Sequence, residues 1–351
     1  MSEIRVALVG VGNCASAFVQ GLEYYRKTKS ERGLMHSKVG KYRVTDIVPV
    51  AAFDVDIRKI GKDLSEAIFA EPNCAVKFAK VPNLNVEVMM GPVMDGVNEH
   101  LAQMVKIASR EPVDVIAVLK KAKPDVVVNM LPTGAVEAAK FYAAAAFEAG
   151  AGFVNGMPAL IANDPKFAAM AEKKGVPLIG DDVKSHIGGT AIERYLSQMF
   201  LDKGAWIKHS YQLNIGGNSD FFNQLKRPET KLYTKITSMK SMIPYDVPMW
   251  GGASGYIDFL KDTKEAYTYF VGEGWAGSPI VINAKLTVSD SPNFASVITE
   301  GILCCKLAMD RGVTGILTSA SAYLMKCPPE KTSDPEAKKM IDEFIAGKRE
   351  R

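Results

Sequence analysis

Apolar residues fall into two regimes along the chain. Through residue 180, short unbroken apolar runs of the kind buried in a parallel sheet alternate with stretches of helical period, the pattern of a doubly wound α/β fold. The runs cover residues 4–9, 47–53, 125–131, 152–155 and 176–180, and each ends in glycine or polar residues. Ala17, Phe18, Gly21, Leu22 and Tyr25 lie at helical spacing and predict a first helix over 13–27. Residues 29–45 break the alternation; polar and carrying Gly33 and Gly40, they read as an insertion before the second strand.

A helix is expected over 187–201. Beyond it, runs at 206–215, 267–271 and 280–288 alternate or are β-branched, with one helix pattern opening at Pro228, and predict a second, mixed or antiparallel sheet. Asp290-Ser291-Pro292 then caps a helix in which Phe294, Val297, Ile298, Ile302, Cys305, Ala308 and Met309 keep helical period. A charged helix follows Asp334. The expected division is 1–202 for the parallel-sheet domain, 203–290 for an inserted α+β domain, and 291–351 for C-terminal helices that return to the first.

Where the first strand ends, the chain reads Gly10-Val11-Gly12-Asn13-Cys14-Ala15. Gly10 permits a tight turn, and Gly12 lets the backbone approach a pyrophosphate seated on the N–H groups and positive end of the next helix. A strand before and a helix after meet the structural condition of the dinucleotide fingerprint, so a Rossmann-like domain binding a nicotinamide or flavin dinucleotide is expected. Asp54 closes the second strand, where an acidic residue accepts ribose hydroxyls and repels a 2'-phosphate, favouring NAD; Arg58 nearby leaves NADP open. Asp54 follows Ala15 by 39 residues, a long spacing that the insertion accounts for. Ligands in such sheets bind at the carboxyl ends of the strands. That makes contacts of Leu131 and Thr133, of Asn155, Gly156 and Pro158, and of Asp182 and Ser185, with ordinary strand-to-helix turns as the other reading.

Composition narrows the classes. At 47% hydrophobic, 23% charged and a net charge of +4, the chain has no block of basic residues that would form a nucleic-acid stripe. Cys14, Cys74, Cys304, Cys305 and Cys327 lack C-x-x-C spacing and read as reduced thiols. No leader pattern precedes the first strand and no run spans a bilayer, so a cytoplasmic protein without membrane contact is expected. Lys231 and Lys235 stand one turn apart on one helix face, where like charges cost an isolated helix about 0.2–0.5 kcal/mol. They form either a solvated basic face or an anion site for a phosphate or oxyanion.

Six segments taken in order resemble the myo-inositol-1-phosphate synthases, also called inositol-3-phosphate synthases, in their short prokaryotic form. They are residues 10–15, residues 180–185, Asn214-Ile215-Gly216-Gly217-Asn218-Ser219-Asp220, the Lys231/Lys235 pair, residues 289–293 and residues 319–326. The resemblance covers nearly the whole chain. It implies conversion of D-glucose 6-phosphate to 1D-myo-inositol 3-phosphate with tightly held, recycled NAD: hydride leaves C5, the ketone acidifies C6, the enolate attacks the C1 aldehyde, and hydride returns to C5. It also implies a homotetramer.

By motif, Lys231, Lys235, Lys264 and Lys326 are the lysine set. Lys231 and Lys326 would handle protons and oxyanions at C5 and C1, and Lys235 and Lys264 would stand beside them or on the phosphate. Asp182 and Asp290 would serve proton transfer, orientation or cation binding, and Ser185, Asn214, Gly216 and Asn218 would help hold the substrate. Read without the resemblance, Lys264 and Lys326 are surface lysines and Asp290 is a helix cap. A divalent or monovalent cation on Asp182, Asp220 and Asp290 stays open beside lysine as the partner of the enolate. His186 and Gly217 depart from the longer members, which carry glycine and asparagine there. The competing readings are a net NAD(P)-dependent dehydrogenase of the homoserine or diaminopimelate type, and a non-catalytic NAD-binding protein.

Overall fold

A computed structural model describes residues 3–227 and 229–351, with the side chains of residues 230 and 231 outside the description. The first part of the chain forms β1 (Ile4–Val9), α1 (Asn13–Thr28), β2 (Ile47–Asp54), α2 (Leu64–Ala67), β3 (Val88–Met90), α3 (Val115–Ala122), β4 (Val126–Asn129), α4 (Val136–Glu148), β5 (Gly152–Asn155), α5 (Pro165–Lys174) and β6 (Pro177–Ile179). There follow α6 (Gly189–Asp202), β7 (Trp206–Gly216), α7 (Ser219–Lys226), α8 (Glu229–Lys240), β8 (Met249–Tyr256), β9 (Thr263–Glu273), β10 (Pro279–Ser289), α9 (Asp290–Asp310), β11 (Gly315–Ile316), α10 (Thr318–Leu324) and α11 (Asp334–Ile345).

Seven parallel strands in the order β11-β6-β5-β4-β1-β2-β3 make a Rossmann-like sheet. Helices cover both faces, as the unbroken apolar runs require. On one side α1 and α9 bury Phe18, Leu22, Ile298 and Ile302 against the strands; on the other, α3, α4 and α5 bury Leu119, Tyr142 and Phe167. Strand order reverses between β1 and β4, which opens a crevice beyond their carboxyl ends.

The inserted segment 29–45 is irregular and docks through side chains. Tyr42 Oη donates to Asp310 Oδ2 (2.6 Å), and His36 bridges Glu300 on α9 and Asp342 on α11. The stretch from Gly315 also returns to the first sheet, where β11 pairs with β6.

The second sheet runs β10-β9-β7-β8 and is mixed, with β7 and β8 parallel and the other pairs antiparallel. Its inner face packs Ile207 and Phe270 on Phe200, Met239 and Val247, and the rings of Phe200 and Phe270 stack at 5.8 Å. Two helices, not one, lie between β7 and β8. The extra one, α7, is capped by Asn218, whose side chain accepts from Asp220 N and Phe221 N. β7 itself is inverted: Ser210, Gln212 and Asn214 are buried, while Tyr211 and Leu213 on the opposite face are exposed. Polar groups turned inward on a strand mark a site beneath it.

Candidate active site

A cavity of about 1850 Å³, counting its open mouth, runs from the crevice above β1 and β4 to the inner face of the second sheet. At the crevice end, Gly10 has φ +90°, and a Cβ there would lie 2.7 Å from Met130 O, so the turn admits only glycine. A Cβ on Gly12 would meet nothing within 4 Å. Gly12 is the N-cap of α1 and supplies no capping side chain, whereas α3, α5, α7 and α11 are capped by Asp114, Asp164, Asn218 and Ser333. No side chain of the N-cap stands between the start of α1 and a ligand anion. This cradle fits a dinucleotide diphosphate.

Asp54 is fastened to the turn. Its Oδ2 accepts from Val11 N (2.8 Å), and its Oδ1 accepts from Val55 N (2.7 Å) and Asp56 N (2.9 Å). It also lines the cavity, with Lys59 3.5 Å away. Arg58 is not on the wall; its guanidinium is bonded to Asp56 and to Met104 O. Asn13, Cys14 and Leu131 line this end, and Asn13 Oδ1 accepts from Cys74 N and Ala75 N, drawing residues 72–75 over the turn.

Six expected contacts stand behind the wall instead of on it: Ala15, Thr133, Asn155, Gly156, Pro158 and Gly216. Thr133 Oγ1 donates to Asp220 Oδ1 (2.7 Å), which does line the cavity. Asn155 links Asn129 to the fully buried Asp181, whose carboxyl is pushed up by burial against the hydrogen bonds it accepts. Gly156 and Gly216 are packing glycines, since a Cβ would sit 2.6 Å from the Phe294 ring or 2.4 Å from that of Phe221.

The far end is built from charged side chains. Val183 bridges to Met325, Lys184 N donates to Leu324 O and Lys326 N to Asp182 O, so residues 181–184 run beside 324–327. That pairing sets Lys326 Nζ 3.0 Å from Asp182 Oδ1, while Thr234 Oγ1 on α8 donates to Asp182 Oδ2 at 2.6 Å. A second pair, Lys264 Nζ and Asp290 Oδ1, stands at 3.4 Å with the Phe221 ring beneath the ammonium. Lys326 is 9% exposed and Lys264 lines the same cavity, so neither is a surface lysine.

Lys235 is 6% exposed and also on the wall; the α8 face it shares with Thr234, Ser238 and Met239 is buried rather than solvated. The Lys231 side chain and Pro228 lie outside the described residues.

Ser185, Asn214 and Asn218 line the cavity together with Gly188 and Gly189 at the start of α6. The Gly188 N-cap, like Gly12, supplies no capping side chain. His186 faces a separate groove on the outer side of α6. Gly217 is dictated by crowding: a Cβ would lie 2.4 Å from both Ile257 O and Lys261 N, so the asparagine of longer relatives has no room.

Three buried acids escape a reading of motifs. Asp262 accepts from Asn218 Nδ2, Ser291 Oγ and Ser291 N, and burial pushes its carboxyl up to about 6. Glu193 on α6 is pushed up by burial to about 7, with the Lys235 ammonium opposing. Asp334 holds both Lys184 and Arg194, and burial brings Lys184 down to about 8. Arg194 in turn donates to Ser238 O and Ser241 Oγ, which fastens α8. No local pattern marks them: Asp262 stands among Lys261, Lys264 and Glu265, Glu193 beside Arg194, and Asp334 between Lys331 and Glu336. No group of three metal-ligating side chains occurs among the described residues, nor is any helix long and apolar enough to cross a membrane.

Comparison with known proteins agrees with this geometry. The family model for myo-inositol-1-phosphate synthase matches residues 188–291. The inositol-3-phosphate synthase of Mycolicibacterium smegmatis is 45% identical over 98% of each chain, and that of Corynebacterium glutamicum is 44% identical over 98% of each. The crystal structure of a myo-inositol-1-phosphate synthase-related protein from Thermotoga maritima superposes with a TM-score of 0.80 at 25% identity, covering 99% of this chain and 100% of that one. With a dinucleotide cradle and a lysine-carboxylate site in one cavity, and full-length identity at this level, the chain belongs to the inositol-3-phosphate synthase family.

Proposed function

We propose that the protein converts D-glucose 6-phosphate to 1D-myo-inositol 3-phosphate, an isomerisation in which NAD stays bound and is used twice. The observation that carries the proposal is the single cavity joining the Gly10–Gly12 turn to the Lys326–Asp182 and Lys264–Asp290 pairs. NAD, when bound, supplies the acceptor and later the donor of the C5 hydride. The chain supplies binding, proton transfer and charge.

The N–H groups at the start of α1 hold the diphosphate, and those of α6 with Ser185 suit the sugar phosphate. Lys326, its ammonium held by Asp182, and Lys231 take and return protons at the C5 and C1 oxygens, while Lys235 and Lys264 offset the enolate or phosphate charge. Lysine is assigned to the enolate because Asp182, Asp220 and Asp290 already accept from Thr234 and Lys326, from Thr133 and Gln224, and from Lys264. A divalent or monovalent cation would have to displace these donors.

The domain division at 202/203 is supported by the change of sheet between β6 and β7, and that at 290/291 by the return of β11 to the first sheet. A homotetramer is supported by the outward face of the second sheet, where Tyr211, Leu213, Tyr269 and Val281 are apolar and solvent-facing and the Tyr211 and Tyr269 rings stack at 5.0 Å. A cytoplasmic site of action accords with five free cysteines.

Incubation with glucose 6-phosphate and a catalytic amount of NAD tests the activity. Inositol phosphate seen by phosphorus NMR, with flat absorbance at 340 nm, is the expected result. Reduction of the added NAD to NADH without that product would establish the dehydrogenase reading instead.

A further inference from the structure

Two amides on the inward face of β7 differ from the rest of the cavity wall. Gln212 and Asn214 alternate on one strand and point the same way, about 7 Å apart along it. Both are buried, at 0% and 4% exposure, and both line the cavity. In each, the nitrogen is committed to the protein. Gln212 Nε2 donates to Glu193 Oε2 (3.0 Å) and, more weakly, to Thr268 Oγ1 (3.4 Å); Asn214 Nδ2 donates to Gly252 O (2.9 Å). In each, the oxygen is buried without a partner among the described residues.

The orientation of both amides follows from these bonds. A carboxylate and a backbone carbonyl accept, so turning either amide round would set oxygen against oxygen. Gly189 adds a second constraint: a Cβ there would fall 2.5 Å from Gln212 Oε1, so glycine is needed to leave room beside that oxygen. Buried acceptors without donors are rare, and two side by side on a cavity wall call for O–H or N–H groups from a ligand. An acceptor repels an anionic oxygen and takes a hydroxyl in its place.

We infer that Gln212, oriented by Glu193, is a specificity-determining residue that accepts a hydrogen bond from a non-reacting hydroxyl of the sugar, with Asn214 accepting from another. The inference rests on the proposed substrate and names the part of it that is read: hydroxyls on C2, C3 or C4. Glu193 does not line the cavity and acts through the Gln212 amide, as a positioning residue.

The test compares kcat/KM for glucose 6-phosphate and its 2-, 3- and 4-deoxy analogues in the parent, in Gln212→Met, and in Glu193→Ala and Glu193→Gln. One analogue should be about 10- to 100-fold poorer than glucose 6-phosphate for the parent, because it leaves Gln212 Oε1 unpaired. Gln212→Met should lose a similar factor on glucose 6-phosphate and show no further loss on that analogue, with the other penalties kept. Glu193→Ala should blur the same penalty and Glu193→Gln restore it. Each penalty is a ratio within one protein, so a poorly folded variant slows both substrates and leaves it unchanged. Parent-like penalties in Gln212→Met, with glucose 6-phosphate turned over by the parent, overturn this inference alone. Failure of the parent to turn over glucose 6-phosphate overturns the proposed function, and this inference with it.

Discussion

The two ends of the cavity are built from different material. The dinucleotide end offers backbone: an uncapped helix, two glycines and one carboxylate tied into the turn. The sugar end offers charged side chains, two lysines each held against an aspartate, with Lys235 alongside. The difference follows the chemistry. A diphosphate keeps its charge throughout, and fixed dipoles suffice to hold it. A sugar that is oxidised, enolised and closed into a ring changes charge at several oxygens, which calls for groups that move protons and follow the charge.

Substitutions at the two ends should separate catalysis from cofactor binding. Lys326→Met should lower turnover by about 10²–10³-fold, as loss of one transition-state donor does, while NAD binding followed by fluorescence titration stays close to the parent. Parallel losses in both would erase the contrast. Glu193 supplies the next largest effect, on stability. Burial raises its folded value to about 7, so the stability it contributes is full below its unfolded value near 4.5 and lost as pH rises through 7. Glu193→Gln removes that loss. Its unfolding free energy relative to the parent should climb on the order of 3 kcal/mol across this window, read from denaturant melts at each pH. A flat difference contradicts the assignment.

At the other end, Gly12→Ala should raise the Kd for NAD about tenfold without moving the unfolding midpoint, because its methyl enters ligand space and touches no protein atom. Arg58→Ala should alter the preference between NAD and NADP less than about threefold, since its guanidinium is spent on Asp56 and Met104 O. A larger change would restore Arg58 as a discriminator.

The same contrast explains what could be read from the sequence. The glycine turn is contiguous and its flanking elements are strongly periodic, so β1, α1 and the cofactor end were legible from residues 4–28 alone. At the other end, Asp182 and Lys326 meet only because residues 181–184 pair with 324–327, a contact that no local pattern encodes. Family motifs carried those residues; spacing did not. Gly251, Gly252 and Gly255 hid β8, and the two residues of β11 are too few for periodicity to register. Thr133, Asn155 and Gly156 sit where strand-end loops are expected, yet their side chains or packing turn back into the protein. β7 did carry a usable sign: Ser210, Gln212 and Asn214 place polar residues at three successive inward positions, alternating with Tyr211 and Leu213.

In the proposed reaction one hydride passes out and back within one cavity. Glucose 6-phosphate deuterated at C5, incubated with protonated NAD and followed by mass spectrometry and deuterium NMR, tests this directly. The predicted result is inositol phosphate that retains the deuterium at the carbon derived from C5. Deuterium lost to solvent or accumulating in free nicotinamide would contradict it.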